Sequence, residues 1–149
     1  MNQAYSDIFN ILIKKSILFT SEIQERMIEL FDSTESLRCF SETFSEMINY
    51  FLLNPNKYVN DHFNIIEKLK YMKRENDIYS YKYRSSIKRM NKKNIRCIFI
   101  IYEDKIIMLN IFNEDKKHVS YRKEVPTILS NYDDIYERWG IWKLILKNL

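Results

Sequence analysis

Positive charge is concentrated in one part of this sequence. The stretch from Lys68 to Lys123 holds 16 Lys and Arg against 6 Asp and Glu, whereas the whole 149-residue chain has a formal net charge of only +4. A basic segment inside a nearly neutral chain favours binding to a polyanion such as a nucleic acid. The alternative is a solvated, lysine-rich surface that binds nothing.

Three side chains in the basic segment have the chemistry that a phosphate site needs. Arg96 begins an apolar run, and a guanidinium can bind a phosphate through two parallel N–H groups. His118 is the only histidine in the segment and titrates near neutral pH, which suits proton transfer. Tyr121 can stack on a nucleobase. Each has a structural alternative: pairing of Arg96 with Glu103 or another carboxylate, an inert surface histidine, and packing of the tyrosine in the core.

A polar stretch at residues 85–94 separates two predicted strands and is rich in basic residues. Its side chains can hold RNA phosphates, which gives affinity and salt dependence without sequence preference. A solvated loop without a ligand is the alternative. The predicted RNA-binding residues are Arg84, Lys88, Arg89, Lys92 and Lys93.

The composition offers little support for other kinds of chemistry. Cys39 and Cys97 show neither metal-binding nor redox spacing, which indicates free thiols in a reducing compartment. The single glycine argues against a glycine-rich phosphate loop, and we predict no cofactor and no metal. The sequence has no charged-then-apolar leader and no run of about 18 apolar residues, so we expect a cytoplasmic protein without a membrane partner.

Hydrophobic spacing predicts the helices that position these residues. Residues 5–15 form one short amphipathic pattern, and residues 16–20 read as a brief strand. Ser21 with Gln24 resembles a capping box at the start of a second helix. A third helix begins near Ser33 and ends before Pro55, because the residue preceding a proline is pushed out of the helical region.

Three later segments predict β-strands. Residues 78–84, 95–102 and 106–112 are short and rich in β-branched or aromatic residues, and residues 103–105 suit a tight hairpin. The last two strands are apolar on both faces, so helices must cover at least one side of the sheet. Residues 59–72 are predicted to form an irregular or helical bridge.

The predicted fold class is α+β, a small antiparallel sheet of about four strands with helices packed mainly on one face. Near the C-terminus a helix is predicted to start close to Pro126, and its residues Trp139 and Trp142 belong either to the core or to a partner interface. No repeat or linker divides the chain. We therefore predict one domain over residues 1–149, with a core at about 16–125 and helical extensions at 1–15 and 126–149.

The order and spacing of these features resemble the RelE/ParE superfamily of toxins from toxin–antitoxin systems, and more closely its RelE-like mRNA interferase branch. The resemblance is carried by "EKLKYMKRENDIYSYKYRSS" and "IRCIFIIYEDKIIMLNIFNEDKKHVSYRKEV". It covers residues 16–125, including the strand–helix–helix order at the start. It implies a single RelE-like toxin domain.

The resemblance implies cleavage of mRNA in the ribosomal decoding site. A ribose 2′-hydroxyl attacks its own 3′-phosphate, a reaction that needs a base, an acid and cations but no metal. Neighbouring positive charges favour the neutral form of a lysine, so a crowded lysine can serve as the base. The candidate catalytic residues are Lys82, Arg96, Lys116, Lys117, His118 and Tyr121.

The candidate residues match the family to different degrees. Lys82 matches a catalytic position and is the candidate base or transition-state stabiliser, with an outward-facing lysine on an edge strand as the alternative. Lys116 or Lys117 aligns with a basic residue that follows the last strand, and Tyr121 with a tyrosine that assists acid chemistry. Ser80 stands where the best-known members have a first catalytic lysine. This departure leaves the acid–base assignment open.

The resemblance also implies partners, namely the ribosome, mRNA and a cognate antitoxin that covers the basic face or the sheet edge. Two other functions stay open at this point. One is a ParE-like toxin that contacts DNA gyrase, and the other is a non-catalytic binding or regulatory protein on a degenerate toxin scaffold. The serine at position 80, where a catalytic lysine stands in the best-known members, favours the non-catalytic protein.

Overall fold

A computed structural model shows how the elements are arranged. It describes residues 3–54, 66–84, 94–114 and 119–139, and every structural statement below concerns these ranges. The elements in chain order are α1 (Gln3–Lys14), β1 (Ile17–Leu18), α2 (Ser21–Leu30), α3 (Thr34–Leu53), β2 (Ile66–Lys68), β3 (Ile78–Arg84), β4 (Asn94–Tyr102), β5 (Lys105–Asn113) and α4 (Val119–Asp133), followed by a π-helical segment (Asp134–Trp139).

The strands form one sheet in the order β1-β5-β4-β3-β2. The pairs β2–β3, β3–β4 and β4–β5 are antiparallel, whereas β1 runs parallel to β5. The predicted α+β class is confirmed, but the sheet is mixed and has five strands rather than about four. The additional strand, β2, lies in the stretch predicted to be a bridge. Its three residues carry no local strand pattern, and they are held by pairing with β3.

Helices α1, α2 and α3 cover one face of the sheet and form the main core. Leu12 of α1 and Phe44 of α3 are completely buried there. Phe44 and Phe51 make edge contacts with Phe99 of β4, with ring centroids 5.9 and 5.8 Å apart. Helix α1, predicted as an extension, therefore belongs to the same core as the sheet.

Helix α4 covers part of the opposite face and closes a second, smaller core. Ile128 and Tyr132 of α4 pack with Ile98 and Ile100 of β4 and with Leu109 of β5. The apolar central strands are therefore buried on both faces, as their sequences require. Three helices on one side and one on the other agree with the predicted arrangement.

Polar links hold the C-terminal turn of α4. The Asn131 amide donates to the backbone carbonyl of Leu109 at 2.7 Å. Near the end of the helix, the backbone N–H of Asn76 donates to the Tyr132 hydroxyl at 3.1 Å, and Arg74 pairs with Asp133 at 2.9 Å. These contacts tie α4 to the sheet and to the segment that joins β2 and β3.

Two details of the helices differ from the sequence prediction. Helix α2 is capped by Thr20, whose side chain accepts from the N–H of Ile23, rather than by Ser21. Helix α4 begins at Val119, so Pro126 lies inside it and not at its start. The apolar residues that follow Pro126 are buried against the sheet, and this packing outweighs the poor helical preference of proline.

The end of the chain is described only to Trp139, and there as backbone in the π-helical segment. Trp142 lies outside the described residues. Within those residues, no helix has the length and apolar character that crossing a bilayer requires.

Helix α3 should depend on its N-terminal cap. Ser33 accepts from the N–H of Ser36, and the Ser36 hydroxyl accepts in return from the N–H of Ser33. We expect Ser33→Ala to lower the free energy of unfolding by about 1 kcal/mol. The control is Thr43→Ala on the exposed side of α3, which should be neutral or slightly stabilising. Urea unfolding measures both, and equal effects would contradict the assignment of the cap.

Candidate functional site

The pairing of β3 with β4 brings two predicted catalytic cations side by side. Lys82 on β3 and Arg96 on β4 are direct partners across the strand pair. Tyr81 and Tyr83 belong to the main core, and side chains alternate between the two faces of a strand. Lys82 and Arg96 therefore share the opposite face, on which α4 packs. Lys82 is half-buried there, and Arg96 is buried.

A carboxylate that follows β5 holds Arg96 in place. The Nε atom of Arg96 lies 2.5 Å from Oε2 of Glu114, and both side chains are only 8% exposed. Phe112, two residues earlier, is the strand partner of Arg96, which explains why Glu114 reaches the same face. Arg96 therefore pairs with a carboxylate, which is the structural alternative to phosphate binding, and its partner is Glu114. Glu103 lies instead 3.7 Å from Lys105.

The buried pair is incompletely hydrogen-bonded. Nε and Nη1 of Arg96 and Oε2 of Glu114 have no hydrogen-bond partner of acceptable geometry within the described ranges, although Nε and Oε2 are close. The contact is therefore an ion pair whose hydrogen-bond angles are poor. Roughly 90% or more of buried polar groups in proteins have a hydrogen-bond partner, so unsatisfied guanidinium N–H groups need an explanation. An anionic ligand oxygen is one, although it could reach these atoms only after a rearrangement that exposes them.

Tyr121, in the first turn of α4, lies over the same face. Its hydroxyl is 2.5 Å from the Ser80 hydroxyl, and its ring meets the Phe112 ring edge-on at 5.2 Å between centroids. Burial raises the pKa of Tyr121 to about 12, although the Ser80 hydrogen bond and the Arg96 charge act in the opposite direction. The Tyr121 hydroxyl is therefore protonated at neutral pH. It can donate a proton, and it is unsuited to act as a base.

These contacts define one group of side chains on the α4 face, which we call the sheet-face cluster. Ser80 has a structural role in this cluster, because its side chain is completely buried and hydrogen-bonded to Tyr121. It cannot reach a bound RNA in this arrangement. The members of the sheet-face cluster are Ser80, Lys82, Arg96, Glu114 and Tyr121.

The sheet-face cluster has one more cation than carboxylates, and a neighbouring carboxylate on β2 offsets it. Lys82 and Arg96 supply two cations and Glu114 one carboxylate, while Glu67 on β2, the strand partner of Ser80, adds a second carboxylate nearby. Both carboxylates act to raise the pKa of Tyr121. The excess of basic residues between Lys68 and Lys123 therefore lies outside this cluster.

The remaining predicted residues are not placed by the structure. Arg84 ends β3 opposite Asn94, at the same end of the sheet as the cluster, and is described as backbone only. The other predicted RNA-binding and catalytic residues lie outside the described residues. These are Lys88, Arg89, Lys92, Lys93, Lys116, Lys117 and His118.

Sequence reasoning missed Glu114 as a functional candidate. The available signal was strand alternation, because Glu114 follows two residues after Phe112 and so falls on the same face. Using that signal required the register that pairs Phe112 with Arg96. The β-bulge between Ile98 and Phe99 shifts this register, so counting residues back from the hairpin along the two strands does not give the partner of Arg96.

No match is found when the chain is compared with protein-family models, with curated proteins or with solved structures. The resemblance to RelE-like toxins rests on the residues quoted in the sequence analysis. Within the described ranges, no group of three or more His, Cys, Asp or Glu is arranged to hold a metal ion.

The ion pair in the sheet-face cluster should show strong coupling between its two partners. Arg96→Met leaves the Glu114 carboxylate buried without a counter-charge, which should cost about 3–5 kcal/mol of unfolding free energy. The double variant Arg96→Met/Glu114→Met removes both charges and should recover most of that loss. Urea unfolding measures both variants.

The control for this pair is Arg74→Met, which breaks the more exposed pair with Asp133 and should cost less than about 1 kcal/mol. Equal destabilisation by the single and double variants at Arg96 and Glu114 would show that the two side chains are not coupled.

The raised pKa of Tyr121 gives a prediction at alkaline pH. A tyrosine in the unfolded chain ionises near pH 10 and Tyr121 in the folded protein near 12, so the unfolded state loses its proton first. This contribution to stability is complete below about pH 10 and declines as the pH rises through 12. The difference between the tyrosinate absorbance titrations of wild type and Tyr121→Phe should have its midpoint near 12. A midpoint near 10 would contradict the burial of the hydroxyl.

Proposed function

We propose that this protein is the toxin of a toxin–antitoxin pair and acts as a ribosome-dependent endoribonuclease. One observation carries the proposal: Lys82 and Arg96 are strand partners on one face, and Arg96 has buried N–H groups without acceptors. A phosphate oxygen is a suitable acceptor for those groups after a rearrangement that exposes them, because each of these atoms is buried in the arrangement described. The Tyr121 hydroxyl, next to Arg96 on the same face, provides a proton donor.

The proposed reaction cuts the RNA chain without a metal. A base removes the proton of a ribose 2′-hydroxyl, and the 2′ oxygen then attacks the adjacent 3′-phosphorus. The bond from phosphorus to the 5′ oxygen of the next nucleotide breaks, and that oxygen takes up a proton. The products are a 2′,3′-cyclic phosphate and a free 5′-hydroxyl.

Each described residue of the sheet-face cluster has a proposed role in this reaction. Lys82 is the base or stabilises the charge that develops on the phosphate, and Arg96 neutralises that charge from the neighbouring strand. Tyr121, which is protonated at neutral pH, donates a hydrogen bond or a proton to the leaving oxygen, although its raised pKa makes it a weaker acid than an exposed tyrosine. Ser80 and Glu114 orient Tyr121 and Arg96 through the contacts described above.

Three further catalytic residues belong to the proposal on the resemblance alone. They occupy the four-residue segment that joins Glu114 of the sheet-face cluster to the start of α4 in the sequence. A cationic or imidazole group from this segment would add positive charge to the described cluster. The residues are Lys116, Lys117 and His118.

The proposal includes a cytoplasmic location, a cognate antitoxin, and the ribosome and mRNA as partners. The basic residues around the strand ends, Arg84 and those at 85–94, would hold ribosomal RNA through its phosphates. A gyrase-directed toxin of the same fold would show itself as inhibition of DNA supercoiling with intact mRNA.

A second candidate function has one observation in its favour. Glu114 pairs with Arg96, and Glu67, the strand partner of Ser80, adds a second carboxylate beside the cluster, so the charges of Lys82 and Arg96 are balanced without any ligand. A non-catalytic binding protein on a degenerate toxin scaffold would need no more than this. The two candidates differ in whether Lys82 is required for RNA cleavage.

Purified protein should be incubated with translating ribosomes, and separately with gyrase and plasmid DNA. We expect mRNA cleavage, and a loss of about 10²–10⁴-fold in its rate for Lys82→Ala if Lys82 acts as the base. The matched control is Lys105→Ala, at the opposite end of the sheet from the cluster, which should cleave like wild type. Equal cleavage by wild type and Lys82→Ala would remove Lys82 from the mechanism, and no cleavage by wild type would favour the second candidate.

A further inference from the structure

A cavity of about 180 Å³ lies between α2, the end of β5 and the first two turns of α4. A water molecule occupies about 30 Å³ in the liquid, so this volume has room for about six waters or one small organic group. Its apolar lining comes from Leu30 of α2 and Phe112 of β5, and its polar lining includes Ser120 and Asn113. None of these residues has a role in the reaction proposed above.

One wall of the cavity is a fixed cation. The Arg26 guanidinium donates to both carboxylate oxygens of Glu124, at 3.1 and 3.3 Å, and to the Asn110 side-chain oxygen at 2.5 Å. The Asn110 amide donates in turn to Glu124 at 2.9 Å. A guanidinium has five N–H donors, and these contacts use three of them. Arg26 is thus held rigidly at the cavity and is still 38% exposed.

A second cation makes the lining positive. Lys123, on the exposed side of α4, lines the cavity together with Arg26 and Glu124. Glu124 neutralises Arg26, so the lining keeps one net positive charge, that of Lys123, which favours a ligand with a negative group at the edge of the cavity. The apolar side chains on the same lining favour a ligand that also has an apolar or aromatic body.

The cavity adjoins the sheet-face cluster. Phe112 lines the cavity, is the strand partner of Arg96, and contacts the ring of Tyr121. The first turns of α4 present Tyr121 to the cluster and Ser120 to the cavity. A chain that lies across the cluster can therefore place a neighbouring unit in the cavity.

We propose that this cavity is a base subsite, which receives the nucleobase of the nucleotide next to the scissile link of the RNA. The base lies against Leu30 and Phe112, and the ribose and phosphate stay outside the cavity, beside Arg26 and Lys123. This inference rests on the proposed ribonuclease function and adds to it a second site that selects the base. Mononucleotide binding tests it separately from cleavage.

The test uses the full-length protein and calorimetric titration with each of the four ribonucleoside 5′-monophosphates and with inorganic phosphate. Two variants fill the cavity from opposite sides, Ser120→Trp and Leu30→Trp, and thermal unfolding shows which of them is folded. A third variant, Lys123→Ala, removes one cation. The matched control is Arg122→Ala, an exposed cation next to it on α4 that does not line the cavity.

We expect mononucleotides to bind more tightly than phosphate, and binding to be lost in the folded cavity-filling variants. Lys123→Ala should weaken binding about threefold or more, while Arg122→Ala leaves it unchanged. Phosphate binding as tightly as the mononucleotides, or binding that persists in a folded filling variant, would overturn the subsite.

Failure of the proposed function gives a different result. If wild type does not cut mRNA on ribosomes but its mononucleotide binding is lost in the filling variants, the subsite stands and the ribonuclease does not. If mRNA is cut but no mononucleotide binds, the ribonuclease stands and the subsite is wrong.

Discussion

The arrangement of the candidate site depends on the burial of one guanidinium. Arg96 lies at the end of a strand that is otherwise apolar, and Glu114 is the buried carboxylate against it. A buried charge is tolerated only when it is paired, so this contact fixes where the chain must pass after β5. The pair also leaves N–H groups of Arg96 without acceptors, which a fully satisfied structural ion pair would not do. That combination of a fixed position and unsatisfied donors is the basis for the proposal that a phosphate binds here after a rearrangement that exposes the guanidinium.

The rest of the fold serves to hold that end of the sheet. The three N-terminal helices cover one face, and aromatic contacts such as those of Phe44 and Phe51 with Phe99 pack this layer against the sheet. On the other face, α4 packs over the middle of the strands through Ile128 and Tyr132. Its first turn carries Tyr121 to the sheet-face cluster and its second turn carries Lys123 and Glu124 to the adjacent cavity. Helix α4 thus contributes side chains to both the sheet-face cluster and the adjacent cavity.

Much of the fold follows from the sequence, because most elements have strong periodic patterns. The strand at 78–84 is where its alternation places it, and the two strands beside the Glu103 hairpin are where their short β-branched runs place them. Glu103 adopts a positive φ of 47° in the turn. Helix α3 ends before Pro55, as expected. The exceptions are elements that tertiary contacts define: β2 exists through pairing with β3, and α4 continues through Pro126 because the following residues are buried.

The sheet-face cluster was only partly predictable. Lys82, Arg96 and Tyr121 can be chosen from residue type and family resemblance, but Glu114 requires a register that a β-bulge displaces.

The central claim is that Lys82 and Arg96 together bind a ribose–phosphate link, and nuclear magnetic resonance tests it most directly. The protein, labelled with ¹⁵N, is titrated with a short RNA whose 2′-hydroxyls are replaced by hydrogen, so that it can bind but cannot be cut. We predict that the Arg96 Nε–H signal and the backbone signals of Lys82 and its neighbours on β3 and β4 shift together, with one dissociation constant. Unchanged signals at Arg96 and Lys82, at RNA concentrations that shift signals elsewhere in the protein, would contradict the account.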